Sequence, residues 1–217
     1  MNNNLTNLFI IRKNAIDMLI ERNYDKDFLE NTHQNIDFTE FQKLYKQNSL
    51  NIKVKNNINN EIAIIYFYNY RDKLKKEDIN NIIEDVKSDF DNKNNLNLIL
   101  IIKEKPHSLI LKRIDAINSS LEENINLNIQ IFYYNELLRN IIKHERVPKH
   151  IVLNENEKSE LLNTYKIKEN QLPQYSILDP IVKYYGLKHG NVFKIIRKSK
   201  TAGNSITYRI VNKNIIF

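Results

Sequence analysis

The 217-residue chain contains no cysteine, which removes disulfides, thiolate zinc ligands, redox pairs and cysteine nucleophiles at once and points to a reducing compartment. Glycine is nearly as scarce: the three, Gly186, Gly190 and Gly203, lie close to one end. No GxxxxGK[ST] or GxGxxG run is present, so a phosphate-cradling loop has no motif behind it. No apolar run approaches the roughly 18 residues of a membrane helix. Asn2, Asn3 and Asn4 follow Met1 where a secretory signal would place charge and then an apolar stretch. The expectation is an untargeted chain with no membrane partner.

Catalytic signatures are equally thin. The five histidines are His33, His107, His144, His150 and His189, with no HExxH among them; without cysteine they offer no zinc spacing, and His144 and His150 read as linker residues. There is no GxSxG, and no serine has a recognisable base partner. Neither a metal nor another cofactor is expected.

What is present is globular. Hydrophobic residues make up 41% of the chain and charged residues 27%, near the averages for folded domains. The 35 asparagines are scattered among Ile and Lys rather than gathered in a tract, as AT-rich coding would produce. Because Asn weakens helix interiors, helices must be read from apolar spacing.

Net charge is +7, and its distribution says more than its total. Residues 1–145 carry 20 basic and 21 acidic side chains, net −1, whereas residues 146–217 carry 13 and 5, net +8. All the glycines and three of the four prolines (Pro148, Pro173, Pro180) share that basic end. Two domains are expected, 1–145 and 146–217.

Along the first, Leu5, Leu8, Phe9, Ile16, Leu19 and Ile20 line one side of a helix, with Arg12, Lys13, Asp17 and Glu21 opposite. Phe38, Phe41, Leu44 and Tyr45 repeat that spacing. The apolar runs at 62–68, 96–102 and 129–134 read as strands, the middle one covered on both faces. Between them Ile79, Ile82, Ile83, Val86 and Phe90 return to helical spacing, and Leu137, Leu138, Ile141 and Ile142 follow the third. Such alternation predicts an α/β domain with a mixed sheet flanked by helices.

The second reads as a small α+β domain. Asn154 and Glu157 have capping-box spacing ahead of Leu161, Leu162 and Tyr165, the predicted buried side of a helix. Asp179-Pro180 is another helix start, and Gly186 suits the left-handed residue that ends it. Strands over 192–198 and 206–211 are joined by the loop 199–205, where Gly203 can supply positive φ, so the domain ends in a β-hairpin. Ile195 and Ile196 are core by spacing.

One enzymatic idea has residues to its name, a Mg²⁺-dependent nuclease on the first domain built on Asp85-Val86-Lys87. The spacing of Ile82, Ile83 and Val86 puts Asp85 and Lys87 on the wet face of a helix, where charges are ordinarily just solvated, and that plain reading is preferred. Glu104 and Lys105 end a strand but lack the acid-x-lysine order.

The basic end carries a dense series of short motifs. His144-Glu-Arg-Val-Pro-Lys-His150, Glu157-Lys158, Leu161-Leu162, Tyr165-Lys-Ile-Lys-Glu169, Gln171-Leu-Pro173, Asp179-Pro180, Tyr184-Tyr-Gly-Leu-Lys188, Gly190, Lys194-Ile-Ile-Arg197, Thr201-Ala-Gly203 and Thr207-Tyr-Arg209 follow one another in register. Together they closely resemble the C-terminal domain of the fifth common subunit of eukaryotic nuclear RNA polymerases, a domain that archaeal polymerases carry alone as a small subunit. Upstream, Glu21-Arg-Asn-Tyr24, Phe38 to Tyr45 and the strands through Ile102 and Ile131 resemble the eukaryotic-type N-terminal jaw domain.

The resemblance implies a non-catalytic subunit of a multisubunit DNA-directed RNA polymerase. Its C-terminal domain would dock on the largest subunit and its N-terminal domain would form part of the lower jaw near downstream duplex DNA. Expected partners are the largest and other polymerase subunits and that DNA, with no homo-oligomer. Interface candidates are Pro148, His150, Gln171, Leu172, Pro173, Lys188, His189, Arg197, Lys198, Lys200, Thr201, Gly203, Tyr208 and Arg209. Lys105, Pro106, His107 and Ser108 stand where the family has a Thr-Pro-Ser-Ala run at its DNA-facing tip. Gln174, Leu178, His189, Lys200 and Asn204 depart from the family pattern, so some surface charges have changed.

A different class of function remains open on the residues alone. The +8 module could act as a free-standing, nonspecific DNA-binding protein, although no recognition helix is evident. A cellular chain would work in the nucleus; a large-DNA-virus homologue, in the host cytoplasm or virion.

Overall fold

Apolar side chains at steps of three and four wind Asn2–Glu21 into helix α1, which buries Leu8, Ile11, Ala15, Ile16, Met18 and Leu19. The computed structural model describes residues 2–56, 61–68, 73–88, 95–119, 127–199 and 203–212. The chain divides into two compact units, Met1–Arg139 and Asn140–Phe217.

In the first unit, Asp25 caps the short α2 (Lys26–Leu29) by accepting from the Phe28 N–H. A π turn over Glu30–Gln34 follows, then α3 (Phe38–Lys46), capped by Asp37 accepting from the Glu40 N–H. Arg12, expected on the wet side of α1, is only 2% exposed. The π turn lies against it there: Arg12 donates to the His33 carbonyl at 2.9 Å and to His33 Nδ1 at 3.2 Å.

The sheet runs β1 (Ile52–Lys55), β2 (Ile62–Phe67), β3 (Leu96–Ile102), β4 (Leu127–Tyr133) in spatial order. β1 pairs antiparallel and the others parallel, so the sheet is mixed as expected. α4 (Lys76–Ser88) and α5 (Ser108–Ser119) place Ile79, Ile82, Ile83, Ile110 and Ile114 in one cluster with Ile64, Leu98 and Leu100. On the opposite face, Asn97 Nδ2 donates to the hydroxyl of Tyr24, just past α1, at 2.9 Å. Strand β1 and helix α5 were not anticipated, because β1 alternates with lysine over only four residues and α5 begins at the Pro106-His107-Ser108 segment read as a tip.

The outer edge of β4 is occupied by side chains. Asn118 donates to the Ile129 carbonyl at 2.9 Å and accepts the Ile129 N–H at 2.7 Å, while Glu136 accepts the Tyr133 N–H at 2.7 Å. α6 (Tyr134–Leu137) stops after four residues, short of the apolar run read through Ile142.

The second unit contains β5 (Lys149–Val152), α7 (Glu155–Tyr165), a 3₁₀ turn (Glu169–Gln171), β6 (Gln174–Ser176), α8 (Pro180–Tyr185), β7 (Val192–Ser199) and β8 (Gly203–Asn212). Its sheet has the order β5-β7-β8-β6, with β6 parallel to β8 and the other pairs antiparallel. The α+β class and the terminal β7–β8 pair are as expected.

The punctuation is also as read. Asn154 Oδ1 accepts from the Glu157 N–H at 2.9 Å and Glu157 Oε2 from the Asn154 N–H at 2.8 Å. Asp179 accepts from the Ile181 N–H at 2.8 Å ahead of Pro180. Gly186 ends α8 at φ +67°, and Gly203 opens β8 at φ +72°. The strands extend further than predicted, with Ser199 opposite Gly203.

One buried row was misread. Tyr165 is 60% exposed, Leu162 and Ile196 are half-buried, and Lys158 takes the inner position one turn before Leu161. Its ammonium lies 2.9 Å from Glu169 and 3.8 Å from Glu155, so α7 is bound to the 3₁₀ turn by an ion pair. A charged residue can replace an apolar one in such a row when a carboxylate meets its head and the stem packs.

Candidate functional site

The second unit's sheet has two faces, fixed by register. Val192, Lys194, Ile196 and Lys198 of β7 stand opposite Ile210, Tyr208, Ile206 and Asn204 of β8, and Lys149 and Ile151 of β5 join that face. α7 covers one end of it, where Leu161, Leu172, Val192 and Ile210 form a core. On the other face, α8 covers Phe193, Ile195 and Val211 with Val182. The unit is therefore a sheet with one helix on each side.

His150 points to the α8 face and is 5% exposed, a correction to its reading as a linker residue. Its Nδ1 donates to the Pro148 carbonyl at 2.7 Å, which leaves Nε2 as the bare nitrogen. That nitrogen is buried without a hydrogen-bond partner among the described residues. The ring stands edge-on to Phe193 at 5.3 Å. Burial holds its pKa below the usual histidine range, opposed by the Pro148 carbonyl.

The other interface candidates occupy varied positions. Leu172 is buried in the α7 core. Pro148 is half-buried; Gln171 and Pro173 are exposed, the first accepting from the Lys168 N–H and the second, through its carbonyl, from the Ile210 N–H. Lys188 and His189 are exposed in the turn after α8, where the Lys188 N–H donates to Asn191 Oδ1 at 2.7 Å. Arg197, Lys198 and Gly203 are exposed on the terminal strands, and Tyr208 and Arg209 are half-buried. The Arg209 guanidinium lies over the Tyr175 ring at 5.2 Å, a cation–π contact. Lys200 and Thr201 fall outside the described residues.

β7 and β8 thus gather Arg197, Lys198, Gly203, Tyr208 and Arg209 on one pair of strands, whereas Leu172 and His150 belong to the interior. Sequence reasoning missed the exposed apolar residues of this unit: Leu178 at 84%, Tyr165 at 60% and Ile206 at 49%. Only Leu178 had a signal, as a departure from the family pattern.

In the first unit Lys105, His107 and Ser108 are exposed and Pro106 is buried at the start of α5, with His107 Nδ1 accepting from the Leu109 N–H. Asp85 is exposed on α4; the side chain of Lys87 lies outside what is described. No group of three or more His, Asp or Glu that could hold a metal occurs among the described residues, and no described helix is long and apolar enough to cross a membrane.

A family model described as RNA polymerase Rpb5, C-terminal domain, matches residues 139–211. Subunit 5B of DNA-directed RNA polymerases IV and V from Arabidopsis thaliana is 31% identical over 208 residues, covering 94% of this chain and 89% of that protein. The chain belongs to the Rpb5 family of RNA polymerase subunits. That family is non-catalytic, so the resemblance read from the motifs is borne out.

The subunit rpabc1 of DNA-directed RNA polymerases I, II and III from Dictyostelium discoideum is 52% identical over 84 residues, 39% of this chain and 43% of that protein. The Caenorhabditis elegans RPABC1 subunit is 51% identical over 83 residues, 38% of this chain and 39% of that protein. These matches span less than half the length of either relative.

Proposed function

We propose that the chain is an assembly subunit of a multisubunit DNA-directed RNA polymerase, docking on the largest subunit through its basic end and carrying its first unit as part of the lower jaw near downstream duplex DNA. On this reading the functional division falls where the charge balance changes, between residues 1–145 and 146–217. The observation that carries it is the pair of family matches: a model described as RNA polymerase Rpb5, C-terminal domain, covers residues 139–211, and a polymerase subunit 31% identical over 208 residues spans 94% of the chain.

Surface composition supports the same division of labour. An obligate subunit interface buries roughly 2,000 Å² or more and is fairly apolar, and the second unit exposes Leu178, Tyr165 and Ile206. Likeness to subunits of polymerases I, II and III supports the nucleus as the working compartment.

Tagged chain pulled from native extract at high salt, followed by mass spectrometry, tests the reading. Co-purification of the large polymerase subunits is the expected result; recovery as a solitary monomer overturns it. Salt-titrated binding of the purified chain to duplex DNA tests the free-standing alternative. Weak binding is expected, and micromolar affinity near physiological salt would favour that alternative.

A further inference from the structure

The half of the second unit's sheet that α7 leaves uncovered combines apolar side chains with unpaired positive charge. Lys149 and Ile151 of β5, Lys194, Ile196 and Lys198 of β7, and Ile206 of β8 share this half by register, bordered by Tyr208, which packs against the α7 core. Tyr165, at the end of α7, extends it by packing on Tyr208 with ring centroids 6.1 Å apart. Ile151, Ile196 and Tyr208 are half-buried and Ile206 and Tyr165 are exposed, so this face is open, with Lys194 between Ile151 and Tyr208 and Lys149 beside the Ile196–Ile206 pair.

Charge on this face is of one sign. The four strands of the sheet contain no Asp or Glu. Lys149, Lys194 and Lys198 make no ion pair among the described residues, in contrast to Lys158, which meets both Glu155 and Glu169. Covering Ile196 and Ile206 would desolvate the flanking ammonium groups, and burying an ammonium is costly unless a carboxylate meets it. The stems can lie along an apolar partner while the heads reach outward to acids at its rim.

We propose that this face receives a polypeptide segment of a polymerase subunit in which apolar side chains are flanked by Asp or Glu. The inference rests on the assembly reading above and adds the face used and the chemistry of the segment. Protein fits better than nucleic acid because part of this face is aliphatic: Ile151, Ile196 and Ile206 gain from apolar burial and offer a phosphate backbone nothing. Leu178 lies outside this set, in the segment between β6 and α8, and so supplies a control position.

The full-length tagged chain, with a benzophenone amino acid at position 206 or at position 178, is assembled in extract, irradiated and analysed by mass spectrometry. Position 206 should cross-link to a polymerase subunit, within a stretch that has carboxylates beside apolar residues. In parallel, Ile206→Asp and the double change Lys194→Glu with Lys198→Glu should each lower polymerase recovery at least tenfold, and Ile206→Leu should restore it. Amide protection in α7 checks that the variants remain folded. Cross-linking of position 206 to DNA, or of position 178 alone while the polymerase co-purifies, overturns this face and leaves the assembly reading standing. Failure of the unmodified chain to bring down any polymerase subunit removes both.

Discussion

His33 makes the stability of the first unit depend on pH in a direction that the structure fixes. Arginine is always a donor, so the 3.2 Å contact from Arg12 requires His33 Nδ1 to be an acceptor and the ring to be neutral. Burial, and then the positive charge of Arg12, lower the His33 pKa from 6.5 to about 4. Phe28 faces the same ring edge-on at 5.6 Å, and the charge of Glu40 acts on Arg12. The unfolded chain thus binds a proton near pH 6.5 that the folded unit refuses until about pH 4. The associated stability is complete above pH 6.5 and is lost as pH falls through this window.

At about 1.4 kcal/mol per pH unit the ceiling on this loss is ~3 kcal/mol, and His33 is only half-buried, so solvent screening reduces it to about 1–2 kcal/mol. Urea midpoints measured from pH 7 to pH 4 should fall more steeply for the wild type than for His33→Gln, which cannot titrate. NMR of the ring protons gives the pKa directly. A His33 titrating near 6.5, or identical pH profiles for the two proteins, would refute the reasoning.

Gly203 sits at φ +72°, and a Cβ there would meet no atom within 4 Å, so Gly203→Val carries a backbone penalty of about 1–2 kcal/mol or more rather than a steric clash. Gly203→Asn should recover most of it. Hydrogen exchange in β7 and β8 measures both, and an unchanged Val variant would mean that the strand junction does not depend on this conformation. On α7, Glu169→Gln leaves Lys158 with only the more distant Glu155 and, because Glu169 is half exposed, should cost about 0.5–1 kcal/mol, whereas Lys158→Met should be close to neutral. Protection factors of α7 amides separate the two, and equal losses would refute this account of the ion pair.

Much of the second unit was legible because its signals are local. Asn154 with Glu157, Asp179 with Pro180, and Gly186 each set a helix end through hydrogen bonds or backbone preference within a few residues, and each does so in the structure. The strands at 62–67 and 96–102 were legible because a buried strand in a short chain is a continuous apolar run. Positions whose environment is set by distant chain were not. Arg12 is buried because a turn 21 residues away covers it, and Tyr165 is exposed because α7 ends there with Lys166 in the left-handed conformation. The interface candidates suffered in the same way: motif membership does not distinguish His150 and Leu172, which fill the interior, from Arg197 and Lys198, which face solvent.

Asn118 and Glu136 give β4 a property that the strand itself lacks. An edge strand normally presents a free row of donors and acceptors to any extended chain that meets it. Here a newcomer would have to displace three side-chain hydrogen bonds, spread over Ile129 and Tyr133, before it could zip on. A chain present in excess can therefore accumulate without its copies adding to one another along this border.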